Sequence, residues 1–568
     1  MINSSFFLIL RRMRAPIIVL IVIYAIAVIG LTLVPGVDAE GRPSPPLSFF
    51  HAFYFVSYTA TTIGFGEIPA AFSEAQRLWV TVCIYLTVVG WSYSVVTLIA
   101  LLQDQGFQNT LTLNRFARRV RRLREPFYLI CGCGETGSLV AHAFDRRHQA
   151  FVVLEKDQLR VEELDLQDFK TDIPALAADA RQPETLLLAG LRHPGCRGVL
   201  AITSDEDANL AIAIAVRLLN PGIPVIARAR TPLVMANMAS FGTDHIIDPF
   251  ERFAEYLALA IAAPARYRLL EILTGLPGAP LPEAHSPPGG RWILCGYGRF
   301  GHALAAHLRP TGVELTIIDP AGTDGEPGIA GYSTEADTLI AAGIHEARGI
   351  IAGSDDDINN LSIAMTASEL NPGLFVVARQ NHHANAALFA AYGADFTMVA
   401  ARIVAQEAIA LLMTPLLARF LHALRQQATA VCSSLVAEIE SINEGRTPLL
   451  REVCLDADDA PAVTQALRQG RPIHLGDLMI DAAERTQTLA AIVLLLERAG
   501  ESRLLPAADT LLQPGDQLLL ATRRSEWQAL ELRLGNANEL DYVLSGHEQP
   551  GWLWQRLQRG QTPRRHAP

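Results

Sequence analysis

The chain has 568 residues, 50% of them hydrophobic, and a formal net charge of −11. That length exceeds what a single core serves, so several domains are expected, and the acidic balance excludes the broad basic footprint that nucleic-acid phosphates require. The 7 cysteines are scattered, and the one close pair, Cys131 and Cys133, lies in an apolar strand pattern. This arrangement is neither a paired zinc pattern nor a disulfide framework, so both thiols are expected to pack in a core.

From Pro16 to Val34 the sequence is apolar throughout. About 19 residues at roughly 1.5 Å rise each nearly cross a hydrocarbon layer of about 30 Å, which predicts a transmembrane helix. The span is long for a signal peptide, although Arg11, Arg12 and Arg14 precede it, and no small-residue cleavage site follows. A second apolar run, Leu78 to Leu102, is followed by Arg115, Arg118, Arg119, Arg121, Arg122 and Arg124. Basic flanks stay inside, so a multi-pass protein of the cell's inner (plasma) membrane is expected, with cytoplasmic N- and C-termini and residues 35–77 outside. Gly90, near the middle of the second span, is a hinge candidate or a close-packing position.

Between the spans, Ser48 is placed to cap a short helix, FFHAFYFVSYTA, which at about 12 residues dips into the membrane without crossing it. Thr62-Ile63-Gly64-Phe65-Gly66 follows. Non-helical backbone at membrane depth must be shielded or line a wet cavity. Alternating glycines let successive carbonyls face one axis, where those of Thr62, Ile63, Gly64 and Phe65, with the Thr62 hydroxyl, replace part of a K⁺ hydration shell. The segment resembles the TVGYG signature of potassium channels, with Ile63 for Val, Phe65 for Tyr, and Glu67 where that family often has Asp. Phe65 lacks the hydroxyl that can brace such a filter.

After the basic stretch, a strand pattern Phe127 to Cys131 leads into Gly132-Cys133-Gly134-Glu135-Thr136-Gly137 and a helix pattern, with Glu155 ending the next strand. This is a dinucleotide-binding fingerprint in its expected context, with the acid placed to accept ribose hydroxyls. The plan recurs at Gly296, Gly298, Gly301 and Asp319. Later landmarks repeat as well: Ser204-Asp205-Glu206-Asp207 matches Ser354-Asp355-Asp356-Asp357 letter for letter at three positions, and Asn220-Pro221-Gly222 matches Asn371-Pro372-Gly373. Two α/β cores, 126–250 and 291–400, are expected, each followed by amphipathic helices.

The repeats are similar to RCK domains, the regulator-of-K⁺-conductance modules of TrkA-N and TrkA-C type. The resemblance implies further nucleotide contacts at Asp179, Ala180, Thr203, Ser204, Arg228 and Arg230 in the first copy, and at Ser354 and Arg379 in the second. Tyr332 stands where that family has the Asp that Asp179 supplies.

The fold class expected is therefore a membrane α-helical pore domain, with two transmembrane helices and a re-entrant helix, followed by two Rossmann-like α/β domains and a small α/β C-terminal subdomain. The boundaries expected are a pore domain at 1–102, a linker at 103–125, a first RCK domain at 126–276, a linker at 277–290, a second at 291–445, the subdomain at 446–525 and a tail at 526–568. The whole resembles bacterial two-transmembrane K⁺ channels with tandem RCK domains, of the multi-ligand gated GsuK type. That resemblance implies a homotetramer in a lipid membrane, conducting K⁺ under control of a cytoplasmic ring that binds NAD or ADP/ATP. Asp205, Glu206, Asp207, Asp355, Asp356 and Asp357 offer hard oxygen ligands for Ca²⁺ or stand as solvated loop acids. Two rival readings are a membrane-tethered NAD-dependent oxidoreductase and a ligand-sensing regulatory subunit of another K⁺ transporter. The first has no residue constellation to carry its chemistry, and the second leaves Thr62 to Gly66 unexplained.

Overall fold

The computed structural model describes residues 2–37, 42–67, 71–275, 277–281, 286–323, 325–424 and 427–547, and it divides into two compact units, Met1–Arg122 and Leu123–Pro568. The end of the expected tail, with Pro563 to Arg565, lies outside the described residues, as do positions 282–285 of the expected 277–290 linker.

In the first unit, helix α1 (Ile2–Leu33) begins well before the apolar run and carries Pro16 inside it. The apolar pattern marks what faces hydrocarbon, whereas the polar residues ahead of it are compatible with helix and simply continue it. Strands β1 (Gly36–Val37) and β2 (Pro43–Ser44) pair antiparallel. Helix α2 (Phe49–Ala60) starts at Ser48, whose hydroxyl accepts the His51 N–H at 3.4 Å. Helix α3 (Glu74–Gln103) starts at a reciprocal capping box between Ser73 and Gln76. Helices α1 and α3 approach closely at glycines: a Cβ on Gly30 would lie 2.1 Å from the Trp79 ring, and one on Gly90 would lie 2.6 Å from Ile23 Cδ1. Ala27, Leu31, Ala52, Val56 and Phe72 form the buried seam, while Ile21, Leu78 and Val89 are exposed on the outside, the distribution a lipid solvent selects. The stretch expected as a linker is largely helical, as α4 (Gln105–Arg122), after a break at Asp104.

The second unit contains the two α/β cores. Strands β3 (Phe127–Cys131), β4 (Ala150–Glu155), β5 (Ala175–Ala177), β6 (Cys196–Ala201), β7 (Val225–Arg228) and β8 (His245–Ile247) form a parallel sheet in the order β5-β4-β3-β6-β7-β8. Their nearly continuous apolar composition suits burial on both faces by crossover helices, and this is the doubly wound order in which ligands bind at the carboxyl ends of the first and adjacent strands. The second copy repeats it with β9 (Arg291–Cys295), β10 (Glu314–Ile318), β11 (Gly328–Ile329), β12 (Gly349–Ala352), β13 (Phe375–Gln380) and β14 (Phe396–Val399) in the order β11-β10-β9-β12-β13-β14. An antiparallel sheet of β15 (Leu449–Cys454), β16 (Ala491–Arg498), β17 (Glu501–Leu504) and β18 (Gln517–Thr522) follows, in the order β15-β18-β16-β17, and helices Arg524–Gly535 and Ala537–Ser545 close the described chain.

The copies exchange helices. After the first core, helix Pro249–Ala262 places Phe250, Phe253, Ala254 and Leu257 in the hydrophobic core of the second copy. After the second core, helix Ala400–Met413 places Val404, Ala405 and Ala408 in the core of the first. The Tyr128 hydroxyl donates to the Leu412 carbonyl at 3.2 Å, and Arg252 pairs with Glu407 at 2.8 Å, so polar contacts accompany the apolar exchange.

The repeat corrects one alignment. Cys131 pairs with Ala201 and Cys295 with Ala352, so the residue equivalent to Ser354 is Thr203. The match of Ser204 to Ser354 is therefore shifted by one: Asp205 corresponds to Asp356 and Glu206 to Asp357. The shared letters came from a run of acids in which a one-residue slip still scores, whereas strand register leaves no such freedom.

Candidate ion path and nucleotide cavities

The segment Thr62 to Gly66 leaves the end of α2 with Thr62, Gly64 and Gly66 at φ of 61°, 68° and 91°, and with neither Ile63 nor Phe65 in that region. Such an alternation is compatible with successive carbonyls facing one side, the requirement for a column of oxygen ligands. Glycine meets the left-handed conformation without cost, but Thr62 is β-branched and strained there, a feature that clusters at functional sites. The Ile63 N–H donates to the Tyr58 carbonyl at 2.9 Å, tying the segment to α2.

Sequence reasoning missed the support around it. The Tyr58 hydroxyl donates to the Gly66 carbonyl, and the Tyr58 ring meets Phe65 edge-on at 5.4 Å, so a hydroxyl absent from Phe65 is supplied from α2. Glu67 accepts from Arg77 Nε at 2.8 Å and from the Phe72 N–H at 2.8 Å, and the Arg77 guanidinium, then that amide, hold its carboxyl below the ordinary carboxylate range. In a single chain Ile63 and Phe65 remain 59% and 60% exposed.

In the first α/β copy, the glycine fingerprint has two different steric roles. Gly132 has φ of 97°, and a Cβ there would press on Thr203 at 2.8 Å. A Cβ on Gly137 would lie 2.1 Å from the Gly132 carbonyl oxygen, so the third glycine serves packing, as Gly301 does against Gly296 in the second copy at 2.2 Å. Glu155 accepts the Cys133 N–H at 2.5 Å and the Lys156 N–H at 2.8 Å, which locks its carboxylate beside the turn. Cys131 and Cys133 are buried, and burial drives both thiols up, Cys133 to about 12.

A cavity of about 630 Å³ opens over this turn. Gly132, Gly134 and Glu155 line one side, Asp179 and Ala180 another, and Thr203, Ser204, Arg228 and Arg230 a third, so all nine first-copy positions other than Gly137 border one space together with Asp205. Lys156, Arg160 and Arg181 add further positive charge. Arg181 pairs with Asp179 at 2.6 Å, and its hydrogen bonds hold that carboxyl below the ordinary range. Arg228 is driven down by burial, its Nε has no acceptor among the described residues, and its Nη1 donates to Thr136 Oγ1 at 3.5 Å. A half-buried guanidinium whose buried Nε is left open suits an anionic ligand.

The second cavity, about 550 Å³, is lined by Gly296, Gly298, Asp319, Ser354 and Arg379, with Tyr332 among them. Asp319 accepts the Tyr297 N–H at 2.6 Å, repeating the Glu155 arrangement. Arg379 differs from its counterpart Arg228: it pairs with Asp355 at 2.7 Å and lies over the Phe250 ring at 4.7 Å, so its charge is already met. Fewer basic groups and a committed arginine make this cavity the less cationic of the two.

Each copy also has an asparagine brace absent from the candidate residues. Asn209 Oδ1 accepts the Thr203 N–H and hydroxyl, while its Nδ2 donates to the carbonyls of Thr203 and Arg228. Asn360 repeats all four bonds with Ser354 and Arg379. The signal available in the sequence was an Asn six residues after a hydroxyl residue in both copies.

The acidic runs do not converge. Asp205 caps the helix Glu206–Leu219 and Asp356 the helix Asp357–Leu370, Glu206 accepts the Arg230 and Thr231 amides, and Asp357 accepts the Asn381 and His382 amides. Asp207 lies in the first turn of its helix, and Asp355 is taken by Arg379. Among the described residues no group of three or more His, Cys, Asp or Glu side chains is arranged to hold a metal ion. The carboxylates of Asp205, Glu206, Asp356 and Asp357 accept backbone amides and that of Asp355 a guanidinium, the usual use of acids at helix starts. Gly90 sits inside an unbroken α3, pressed against Ile23.

Two family patterns match the chain: an ion channel domain over residues 17–104, and a TrkA-N domain twice, over 128–249 and 292–400. Among curated relatives, potassium channel protein 1 of Methanocaldococcus jannaschii is 26% identical over 241 residues, 42% of this chain and 67% of that protein. The probable potassium channel protein 2 of the same organism is 23% identical, covering 41% of this chain and 63% of its own length. Among solved structures, a GsuK channel bound to NAD is 18% identical with a TM-score of 0.47, covering 94% of this chain and 99% of that one.

Proposed function

We propose that this chain, which joins an ion channel domain to two TrkA-N domains, is one subunit of a homotetrameric K⁺ channel opened and closed by adenine nucleotides. The observation that carries the reading is the alternating left-handed backbone of Thr62, Gly64 and Gly66 between two membrane-length apolar helices. One chain offers a one-sided oxygen column with exposed apolar neighbours, and four chains about an axis close it into cages. Arginines flanking both spans support a reading in which the termini and the TrkA-N domains lie in the cytoplasm and the spans cross the inner membrane.

The first cavity is the principal ligand site. Its open arginine donor, surrounding cations and glycine turn at a helix start fit the phosphates of ADP, ATP or NAD, and Glu155 favours a ribose without a 2′-phosphate. Divalent cations form no part of this reading, because among the described residues no three of the candidate carboxylates are grouped to hold one. Ligand binding gates the pore when affinity differs between two arrangements of the exchanged pair, and the difference reaches α3 through the covalent path of residues 123–126 and α4. A coupling of about 1 to 3 kcal/mol per ligand is ordinary for such a transition. Gly90 is the hinge candidate on α3, at the expense of its contact with Ile23.

The test is a bilayer recording of purified protein in opposed K⁺ and Na⁺ gradients, with ADP, ATP and NAD added singly. A reversal potential that follows K⁺ and an open probability that responds to nucleotide support the reading, and a reversal potential indifferent to K⁺ defeats it. NADH turnover without current would favour the tethered oxidoreductase instead.

A further inference from the structure

The two glycine cavities share a plan but not a lining. Glu155 pairs with Ala177 in the first copy, and Ile318, one residue before Asp319, pairs with Ile329 in the second. Asp319 thus stands beside Ala330 as Glu155 does beside Ala177, which puts Tyr332 at the position of Asp179. Asp179 is held by Arg181, whereas Tyr332 is 63% exposed and its side chain has no hydrogen bond or ring contact among the described residues. Of the exposed large apolar side chains described in the second unit, Tyr332 is the one aromatic ring, and it borders a cavity. An unpacked ring in that place offers a face on which a flat, unsaturated group can stack.

Charge differs at the far end of the same cavities. Gly134 and Gly298 each precede a helix, and the first helical residue is Glu135 in one copy and Arg299 in the other. A carboxylate suits a helix start, and a guanidinium there works against the helix dipole. Arg299 is exposed, lines the second cavity and has no hydrogen bond or ion pair among the described residues. An anion bound there would make the placement favourable, because it would be shared between the guanidinium and the free amides of the first turn.

Sheet order sets the sequence of these groups. Strands β11, β10 and β9 are neighbours, and Tyr332, Asp319 and Arg299 follow them in turn. Two strand spacings come to about 10 Å, the reach of a base, a ribose and one phosphate joined in line. The Asp319 carboxylate accepts the Tyr297 and Ala321 amides and keeps lone pairs for ribose hydroxyls. The other cation lining this cavity, Arg379, is paired with Asp355. A second phosphate would add charge beside Asp319 and Asp355 with no basic group to meet it, whereas the first cavity has Lys156, Arg160 and Arg181 in addition to its own arginine pair.

We propose that the second cavity binds a nucleoside monophosphate, with the base stacked on Tyr332, the ribose on Asp319 and the phosphate on Arg299. The inference rests on the reading of the glycine cavities as nucleotide sites, and it assigns the two copies different ligands.

The test titrates AMP, ADP and adenosine, each alone, into the full chain purified in detergent, by calorimetry, in a Glu155→Ala, Arg228→Ala background that weakens the first cavity. AMP is expected to bind at least as tightly as ADP. Tyr332→Ala is expected to weaken AMP about fivefold or more, while Tyr332→Phe stays within about twofold, since the ring face and not the hydroxyl carries the contact. Arg299→Gln is expected to weaken AMP about fivefold or more and to leave adenosine within about twofold. Both side chains are exposed, so these changes leave the core intact. AMP affinity within about twofold of the background in Tyr332→Ala or in Arg299→Gln, or ADP bound about tenfold more tightly than AMP, overturns the proposal. An Asp319→Ala chain with the first cavity intact separates the two levels. If ADP binds that chain and no nucleotide binds the Glu155→Ala, Arg228→Ala chain, this proposal falls and the first cavity remains a nucleotide site. If neither chain binds nucleotide, both readings fall.

Discussion

Asn209→Ala is the sharpest perturbation of the ligand site that leaves every cavity-lining side chain in place. Asn209 is fully buried and makes four hydrogen bonds, two accepted from Thr203 and two donated to the carbonyls of Thr203 and Arg228. At about 0.5 to 1.5 kcal/mol net for each bond, the sum is roughly 2 to 4 kcal/mol once partial re-pairing with water is allowed for. That energy links the ends of β6 and β7, so its loss should appear as local opening there before global unfolding. Hydrogen exchange read by mass spectrometry should show the amides around Thr203 and Arg228 exchanging about 30- to 700-fold faster, with the second copy, braced separately by Asn360, unchanged. Asn209→Asp keeps the acceptor for Thr203 but loses both donors and buries a charge, and it should open at least as readily. An exchange rate within about threefold of the parent in Asn209→Ala would refute the bracing argument.

Tyr58→Phe removes the donor to the Gly66 carbonyl while keeping the ring against Phe65. It should leave K⁺ over Na⁺ selectivity intact and shorten open lifetimes in single-channel recordings, and unchanged lifetimes would dismiss the brace. Glu67 has a depressed carboxyl, so its contribution is fully present above the ordinary value and is lost as external pH falls through the lower folded value. Currents should thus be constant from pH 7 to 5 and decline only under stronger acid, whereas Glu67→Ala should show the acid behaviour at neutral pH. Glu452, raised to about 7 chiefly by burial, accepts the Leu416 N–H at 2.6 Å. Because its folded value lies above the unfolded one, stability should fall as pH rises from about 4.5 to 7, by on the order of 1 to 2 kcal/mol after solvent screening, and Glu452→Gln should flatten that slope in thermal melts. Gly301→Ala, which would place a Cβ 2.2 Å from the Gly296 carbonyl oxygen, should disrupt the second cavity, while Gly298→Ala, with open space around it, should fold normally and affect only ligand approach. Equal melting temperatures for the two variants would refute the packing assignment.

Much of this architecture is written in local pattern. The apolar runs, the glycine fingerprints and the strand-forming stretches state what each segment needs, because hydrocarbon thickness, backbone sterics and two-sided burial act within a few residues. What pattern could not state was register and company. The slip that matched Ser204 with Ser354 arose because an acidic run has no internal landmark, and only the pairing of Ala201 and Ala352 with their neighbouring strands resolves it. Four of the acids read as possible cation ligands, Asp205, Glu206, Asp356 and Asp357, are helix caps and loop clamps, roles that depend on where an amide points. Tyr58 looked like one more aromatic on an apolar helix, and its partner became visible only with the backbone folded back on α2.

The exchange of helices between the copies has a consequence for synthesis. The core around β3 is not filled until Val404, Ala405 and Ala408 exist, yet its own last strand ends at Ile247. At about 5 to 20 residues per second, the ~160 intervening residues take roughly 8 to 30 s to emerge. For that interval the nascent first copy carries an uncovered apolar face, while helix Pro249–Ala262 waits with Phe250 and Phe253 bare for a second core not yet made. Emergence of helix Ala400–Met413, and not completion of the first copy's own strands, is the event that lets both cores close together.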